Sequence, residues 1–191
     1  MKSIWLVILA VILVVGSFWG CARQKPSQPT NGQPAVVDYK DLGISFTDFF
    51  DRFNEEIAII KAEHTGRAVQ SIPEFSLANF EVTKEESFKI YILSNETASL
   101  VLKVEASGHV FEAYCSGTPK VFGIEGDTMT VTEAFQLATL RILHGYDEGA
   151  DLLERLTVEN RMETTEIVGG MMHTRHTNDN QSFISLLVVP E

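Results

Sequence analysis

The most regular hydrophobic pattern in the chain lies between residues 45 and 64. Its apolar residues recur at spacings i, i+3, i+4, i+7, i+11 and i+14, which line one face of an α-helix. Ser45 is predicted to be the N-cap, with Asp48 near the positive end of the helix dipole. Gly66 is predicted to end the helix. The predicted apolar face consists of Phe46, Phe49, Phe50, Phe53, Ile57 and Ile60.

A second helical pattern follows Thr130. Thr130 and Glu133 have the spacing of a capping box, in which each side chain bonds the backbone N–H of the other residue. Gly145 is predicted to end this helix, and Asp147 is predicted to cap a short third helix that runs to Leu156. The apolar face of the second helix would consist of Val131, Ala134, Phe135, Leu137, Ala138 and Ile142.

Short β-rich segments occupy residues 80–117. The segments FEVTK, SFKIYILS, SLVLKVE and HVFEAYCSG are separated by turn residues. In the second and third segments, successive side chains would point to alternate faces of a sheet. The turns at 95–97 and 107–108 are short enough for hairpins. This pattern predicts an antiparallel meander with one packed face and one partly solvated face.

The C-terminal residues 165–190 predict two further strands, joined by a polar turn at 178–180. The glycine pair at 169–170 lies inside the first of them and predicts a β-bulge or a close backbone approach. Next to it, the methionine pair at 171–172 favours core packing, with an adaptable apolar partner surface as the alternative.

The predicted order is one helix, about four strands, one or two helices and two strands. Helices grouped between runs of antiparallel strands indicate the α+β class. We therefore predict an antiparallel sheet of about five to six strands packed by two or three helices. The roughly 150 residues involved suit a single domain with a real core.

The first twenty residues have the features of a secretory signal. Lys2 precedes twelve consecutive apolar residues, 4–15, and the segment ends in small residues and Cys21. A transmembrane helix needs roughly 17 to 25 apolar residues, and Ile4–Gly20 only reaches the lower limit. An uncleaved membrane anchor is therefore the alternative to a cleaved signal.

The end of this signal, Phe-Trp-Gly-Cys, resembles the lipobox of bacterial lipoproteins. Gly20 matches the small residue of that family before the cysteine, whereas the Phe-Trp pair departs from its usual aliphatic and small residues. The resemblance covers residues 1–21 and implies that Cys21 is acylated after cleavage of the preceding bond. By the same family rule, Ala22 in place of Asp implies the outer membrane, or the cell surface of a bacterium with one membrane.

A polar segment separates Cys21 from the predicted domain. Residues 22–34 contain three prolines, three glutamines and no large apolar residue, a composition typical of disordered linkers. We therefore predict a signal peptide at 1–20, a lipidated Cys21 with its tether at 21–38, and a globular domain at 39–191.

Charge limits the classes of partner. The chain carries a formal charge of −11, and loss of the signal with its single lysine would make it −12. An acidic surface argues against nucleic-acid binding. The two cysteines of the chain are Cys21 and Cys115; if Cys21 is acylated, no intramolecular disulfide can form. Cys115 is predicted to be a buried strand residue.

His173 and His176 are weak candidates for metal ligands. Two residues separate them, whereas zinc-binding helices commonly place three to five between paired histidines. In a strand, alternation would send these positions to opposite faces. Surface histidines near a hairpin end are the favoured interpretation, and we expect no metal and no cofactor.

Residues with catalytic potential lack a recognisable motif. Cys115, His144 and Asp147 offer a nucleophile, a base and an acid, but the surroundings of Cys115 are those of a packed strand. His144 suits the C-terminus of a helix. The adjacent carboxylates at 55–56, 85–86 and 147–148 are predicted to be solvated, and the glycines at 122–126 and 168–170 lack the features of phosphate loops. We expect no enzyme activity.

The resulting hypothesis is a membrane-anchored lipoprotein, held in the lipid by acylated Cys21. Its exported domain would bind an envelope protein as an inhibitor, assembly factor or complex subunit, because a tether raises the effective concentration of nearby partners. A small-molecule or envelope-polymer binder is the alternative, with Tyr91, Phe111 and Tyr114 as its candidate lining if they face outward. An enzyme is the third possibility.

Overall fold

The computed structural model describes residues 39–118, 129–157, 161–178 and 183–191, so the predicted signal, Cys21 and the tether lie outside the described residues. The described part belongs to one compact unit, Val37–Glu191. None of its helices has the length and apolar character needed to cross a bilayer. The helices are α1 (Phe46–Glu63), α2 (Arg67–Gln70), α3 (Val131–His144) and α4 (Tyr146–Leu156), with a 3₁₀ turn at Leu77–Asn79. The strands are β1 (Phe80–Lys84), β2 (Phe88–Ser94), β3 (Ala98–Glu105), β4 (Val110–Gly117), β5 (Glu163–Val168), β6 (Met171–Thr177) and β7 (Ile184–Pro190).

Helix α1 confirms the first periodic pattern. The Ser45 hydroxyl oxygen accepts a hydrogen bond from the backbone N–H of Asp48 at 3.1 Å, as expected of an N-cap. Five of the six predicted apolar residues are buried, and Phe46 is half-buried. The helix ends at Glu63, before Gly66, which instead caps α2.

Helix α3 also begins as predicted, with a complete capping box. The backbone N–H of Glu133 donates to Thr130 Oγ1 at 3.1 Å, and the backbone N–H of Thr130 donates to Glu133 Oε2 at 2.9 Å. Gly145, at φ 89°, is the single residue between α3 and α4. The prediction of Asp147 as the cap of α4 is wrong, because this helix starts at Tyr146 and Asp147 lies in its first turn.

The sheet is antiparallel throughout and has seven strands in the order β1-β2-β3-β4-β7-β6-β5. The α+β class is confirmed, but the predicted count of five to six strands is too low. The cause is the glycine pair Gly169 and Gly170, whose φ values of 60° and 74° form a tight hairpin turn. The predicted bulged strand is therefore two strands, β5 and β6.

The described helices lie on one face of the sheet. Helix α3 packs on β3, β4 and β7, and α1 packs on α3. Arg155 of α4 donates a hydrogen bond to Glu166 of β5 at 2.9 Å. Alternation along the strands sends the remaining side chains to the opposite face, named here the outer face. The buried strand residues that face the helices are Leu93, Leu100, Leu102, Val104, Ala113, Cys115, Leu186 and Val188.

Candidate functional site

The outer face carries a row of apolar side chains that runs across the central strands. Ile92 lies opposite Val101, Val101 opposite Tyr114, and Tyr114 opposite Leu187. Val101, at the centre of this row, is only 4% exposed. Further apolar residues lie in the next row of the same face. We call the whole set the apolar band: Ile90, Ile92, Val101, Tyr114, Leu187, Val189, Met172 and Ile167.

A row of four serines borders the apolar band. Ser94 lies opposite Ser99, Ser99 opposite Ser116, and Ser116 opposite Ser185. The hydroxyl oxygens of Ser94 and Ser99 are 3.0 Å apart, within hydrogen-bond distance. Burial raises the pKa of Tyr114, against the smaller lowering effect of the serine hydroxyls beside it. The outer face thus combines an apolar centre with a strip of short hydroxyl side chains.

The serine row continues into a histidine and a glutamate. Ser185 lies opposite His176, and His176 lies opposite Glu163. These three residue types occur in hydrolase triads, where a hydrogen bond from the nucleophile to the base activates it. Within the described part of the chain, no hydrogen bond joins these three side chains, and Ser185 is 7% exposed. The row therefore lacks the contact that would activate the serine.

The aromatic residues proposed as a ligand lining do not share one face. Phe111 lies beneath Tyr39, with ring centroids 4.3 Å apart and planes inclined by 10°. Tyr114 belongs to the apolar band, but Tyr91 stacks on Phe46 at 4.0 Å on the helix side. The expected lining required Tyr91, Phe111 and Tyr114 all to face outward, and Tyr91 does not meet this condition. Phe88 completes the aromatic contact at this end of the outer face, with its ring 5.5 Å from that of Phe111.

Cys115 is a core residue, as predicted. Its side chain is fully buried, and its sulfur lies 3.2 Å from Thr139 Oγ1. Burial raises the pKa of the thiol to about 12, so the reactive thiolate is absent at neutral pH. His144 contacts His173 instead of Cys115, and Asp147 is exposed. The fold does not bring Cys115, His144 and Asp147 together as a catalytic group.

His173 and His176 point to opposite faces, as the alternation predicts. His173 lies opposite Val188 on the helix side, whereas His176 lies opposite Ser185 on the outer face. The prediction of two surface histidines is wrong for His173, which is fully buried.

The structure gives His173 a partner that the sequence does not reveal. Its Nε2 lies 2.8 Å from Nε2 of His144, at the C-terminal end of α3. Burial, and then the neighbouring His144, lower the pKa of His173 to about 4. Because the two histidines are 29 positions apart in the sequence, no local sequence signal joins them. They meet only when α3 packs on β6.

One of the predicted solvated carboxylates, Glu56, is half-buried and belongs to an ionic cluster around the buried Arg141. Nη1 of Arg141 lies 3.1 Å from Glu63 Oε2 and 3.8 Å from Glu56 Oε2, and the guanidinium sits 3.9 Å above the ring of Tyr146. Burial raises the pKa of Glu56, and Arg141 opposes that effect. The prediction for the pair at 55–56 is therefore wrong for Glu56, and this cluster joins α1, α3 and α4. The carboxylates at 85–86 and 147–148 are exposed, as predicted.

No protein-family model matches the chain, and no curated protein matches it. Among solved structures, it is similar to a cysteine-rich secretory protein from Staphylococcus aureus subsp. aureus Mu50, at 9% identity and a TM-score of 0.28. The match covers 71% of this chain and 43% of that chain, so this chain spans less than half the length of the secretory protein. A similarity at this TM-score carries no inference about fold or function.

Proposed function

We propose that the chain is a membrane-anchored lipoprotein whose exported domain binds an envelope protein through the outer face of its sheet. The apolar band is the observation that supports a binding role. Most of its residues are half-buried and so keep part of their apolar surface open to solvent, and clusters of such surface are typical of interaction sites. Ile167 at the end of the band is 56% exposed, although it is a large aliphatic residue.

The dimensions of the outer face suit a protein partner. Seven strands at a spacing of about 4.8 Å make a surface about 30 Å wide. Three rows of side chains add about 20 Å in the other direction, at about 3.4 Å per residue along each strand. Such a surface is comparable in size to the roughly 800 Å² that each partner buries in a standard interface.

Charge indicates what the partner presents. Glu81 and Glu163 are exposed at opposite edges of the outer face, and the mature chain would carry a formal charge of −12. Inside the face, Lys103 is already paired with Glu112 at 2.9 Å. We therefore propose a partner with an apolar patch bordered by basic residues, because complementary charges favour association and exclude acidic competitors.

The predicted anchor would confine this encounter to the membrane surface. If Cys21 is acylated, residues 21–38 can extend to at most about 60 Å, at roughly 3.3 to 3.6 Å per residue. Confinement of this kind raises the effective concentration for partners within reach.

A matched pair of substitutions tests the outer face. Ile167, in the apolar band, and Leu77, in the 3₁₀ turn, are both 56% exposed. Ile167→Lys introduces a cation into the proposed interface, whereas Leu77→Lys makes the same change outside it. In cells that produce the full-length chain, we expect Ile167→Lys to weaken crosslinking to the partner by tenfold or more, because a buried unpaired charge is costly. Leu77→Lys should crosslink as the wild type does.

The readout is the yield of a defined crosslinked species identified by mass spectrometry. A partner that is captured equally by both variants would contradict the proposed interface. A wild-type protein that yields no reproducible crosslinked partner in its native envelope would contradict the binding role itself.

A further inference from the structure

A mixed group of metal-binding side chains lies where the first described residues meet the β3–β4 hairpin. Glu105 ends β3, and His109 directly precedes β4. Asp41 lies in the segment before α1. This segment pairs with the hairpin, since the backbone N–H of Leu42 donates to the carbonyl of Val110 at 2.8 Å. Backbone hydrogen bonds thus hold Asp41 beside Glu105 and His109, although more than 60 residues separate it from them.

The three ligand atoms converge on one point. His109 Nδ1 lies 3.7 Å from Asp41 Oδ2 and 3.9 Å from Glu105 Oε1, and all three ligand atoms lie within 4.8 Å of one another. Separations of this size leave a point roughly 2.5 Å from each atom, against about 2.0 to 2.2 Å in zinc sites with imidazole and carboxylate ligands. A contraction of a few tenths of an ångström would therefore complete three coordinate bonds.

Neighbouring donors orient the two carboxylates. The backbone N–H of Gly43 donates to Asp41 Oδ1 at 2.7 Å, which leaves Oδ2 on the side of His109. The Ser107 hydroxyl donates to Glu105 Oε1 at 2.5 Å, and Ser107 Oγ lies 3.3 Å from His109 Nδ1, so a bound ion would replace the contact of Ser107 with that nitrogen. The bond from Gly43 leaves the ligand oxygen of Asp41 free, and hydrogen bonds of that type fix metal ligands in position and strengthen binding.

We propose that Asp41, Glu105 and His109 bind a divalent first-row transition metal ion, with Zn²⁺ as its representative. The imidazole nitrogen favours zinc and related ions, since Ca²⁺ and Mg²⁺ select all-oxygen sites. The two carboxylates supply two negative charges against the two positive charges of the ion. The side chains of Asp41 and His109 are 32% and 47% exposed, so water completes the coordination from the solvent side.

The metal ion would link the segment before α1 to the β3–β4 hairpin of the sheet. Asp41 precedes α1, whereas Glu105 and His109 belong to the hairpin, so the folded chain alone presents all three ligands. A ligand that binds only the folded state raises its stability by mass action. We therefore expect Zn²⁺ to raise the melting temperature of the protein.

The test uses the full-length chain in detergent, stripped of metal and titrated with Zn²⁺ or Ca²⁺. We expect one equivalent of Zn²⁺ to bind, with an upward shift in melting temperature, and Ca²⁺ to bind at least tenfold more weakly. His109→Ala and Asp41→Asn should each lower the Zn²⁺ affinity by about tenfold or more. Asp41→Asn keeps the oxygen that accepts from Gly43, so it preserves the local fold. His176→Ala removes an exposed histidine elsewhere and should bind as the wild type does.

Three results would overturn the proposal. The first is a wild-type protein that binds no Zn²⁺. The second is Zn²⁺ binding that survives both His109→Ala and Asp41→Asn, which would locate the ion elsewhere. If His176→Ala alone abolished binding, the ligands would lie around β6, and the assignment to the hairpin would be wrong.

Discussion

At the scale of single residues, the pair His144 and His173 shows how packing sets protonation. Their Nε2 atoms are 2.8 Å apart, so one ring must donate and the other must accept. Two imidazolium rings at this distance would repel each other. Burial is the largest cause of the lowered pKa of both residues; Glu148 partly opposes the effect at His144. The folded protein therefore holds the pair in its neutral form.

This pair predicts that the protein loses stability in mild acid. The pKa of His173 is about 4 in the folded protein and about 6.5 in the unfolded chain, so the unfolded chain binds more protons between these values. The contribution of neutral His173 to the free energy of unfolding should therefore be fully present above pH 6.5 and be lost as the pH drops toward 4. By linkage the loss from His173 is on the order of 3 kcal/mol. Urea unfolding at a series of pH values measures it.

Carboxylates also titrate in this pH range and change the stability of every variant. The contribution of His173 is therefore measured by comparing how steeply the free energy of unfolding depends on pH in different variants. His173→Leu should reduce the slope between pH 6.5 and pH 4, even if it also changes stability at pH 7. His176→Ala, at an exposed histidine, should keep the wild-type slope. Equal slopes in the wild type and His173→Leu would refute the assignment.

At the scale of elements, glycines decide how neighbouring segments meet. A Cβ added to Gly149 would lie 2.6 Å from the backbone nitrogen of Arg141 and 2.7 Å from its Cα atom. Helices α3 and α4 therefore approach more closely than any larger residue allows. This contact also brings Tyr146 over the guanidinium of Arg141.

The close approach of α3 and α4 predicts a large effect for a small substitution. Gly149→Ala should lower the free energy of unfolding by about 1 to 3 kcal/mol, because the added methyl group meets backbone atoms that must shift. In a helix without this contact, the same change would be stabilising by up to about 1 kcal/mol. Chemical denaturation measures the free energy of unfolding of Gly149→Ala and of the wild type. Asp151→Ala, at an exposed position of α4, is the control. A more stable Gly149→Ala protein would show that the helices can separate without cost.

The number of strands also depends on glycine. Gly169 and Gly170 both adopt positive φ, which residues with side chains rarely do, and the chain reverses there into β6. The same residue pair is compatible with a bulge in one long strand. Whether it turns or bulges depends on what each half pairs with, and β6 pairs with β7 on its other side.

At the scale of the whole molecule, the proposed anchor and the proposed binding surface are separate properties. The outer face belongs to the described domain, whereas Cys21 lies outside the described residues. The proposed attachment and the proposed binding surface can therefore be tested by separate substitutions.

Replacing Cys21 tests the attachment. Cys21→Ser should release the protein from the membrane or leave it unprocessed at its full 21.3 kDa, because the acylated thiol is lost. The wild-type protein should lack residues 1–20 and carry the added lipid. Intact mass and membrane fractionation measure both properties. Cys115→Ala, at the buried cysteine, should leave processing unchanged, and a wild-type protein that retains its first twenty residues with a bare thiol would contradict acylation.

The sequence by itself determined the local elements. Helices α1 and α3, their caps at Ser45 and Thr130, and the hairpins of β1–β4 follow from side-chain periodicity and capping chemistry, which act over a few residues. The burial of Cys115 follows from its place in an apolar strand. These features need no knowledge of distant parts of the chain.

Only the tertiary structure decided which distant residues meet. The pairing of β4 with β7, the contact of His144 with His173, and the convergence of Asp41 on His109 each join segments dozens of residues apart. Such contacts depend on the register of the sheet and on which face the helices cover. Registers and faces result from the packing of the whole core, so no short stretch of sequence encodes them.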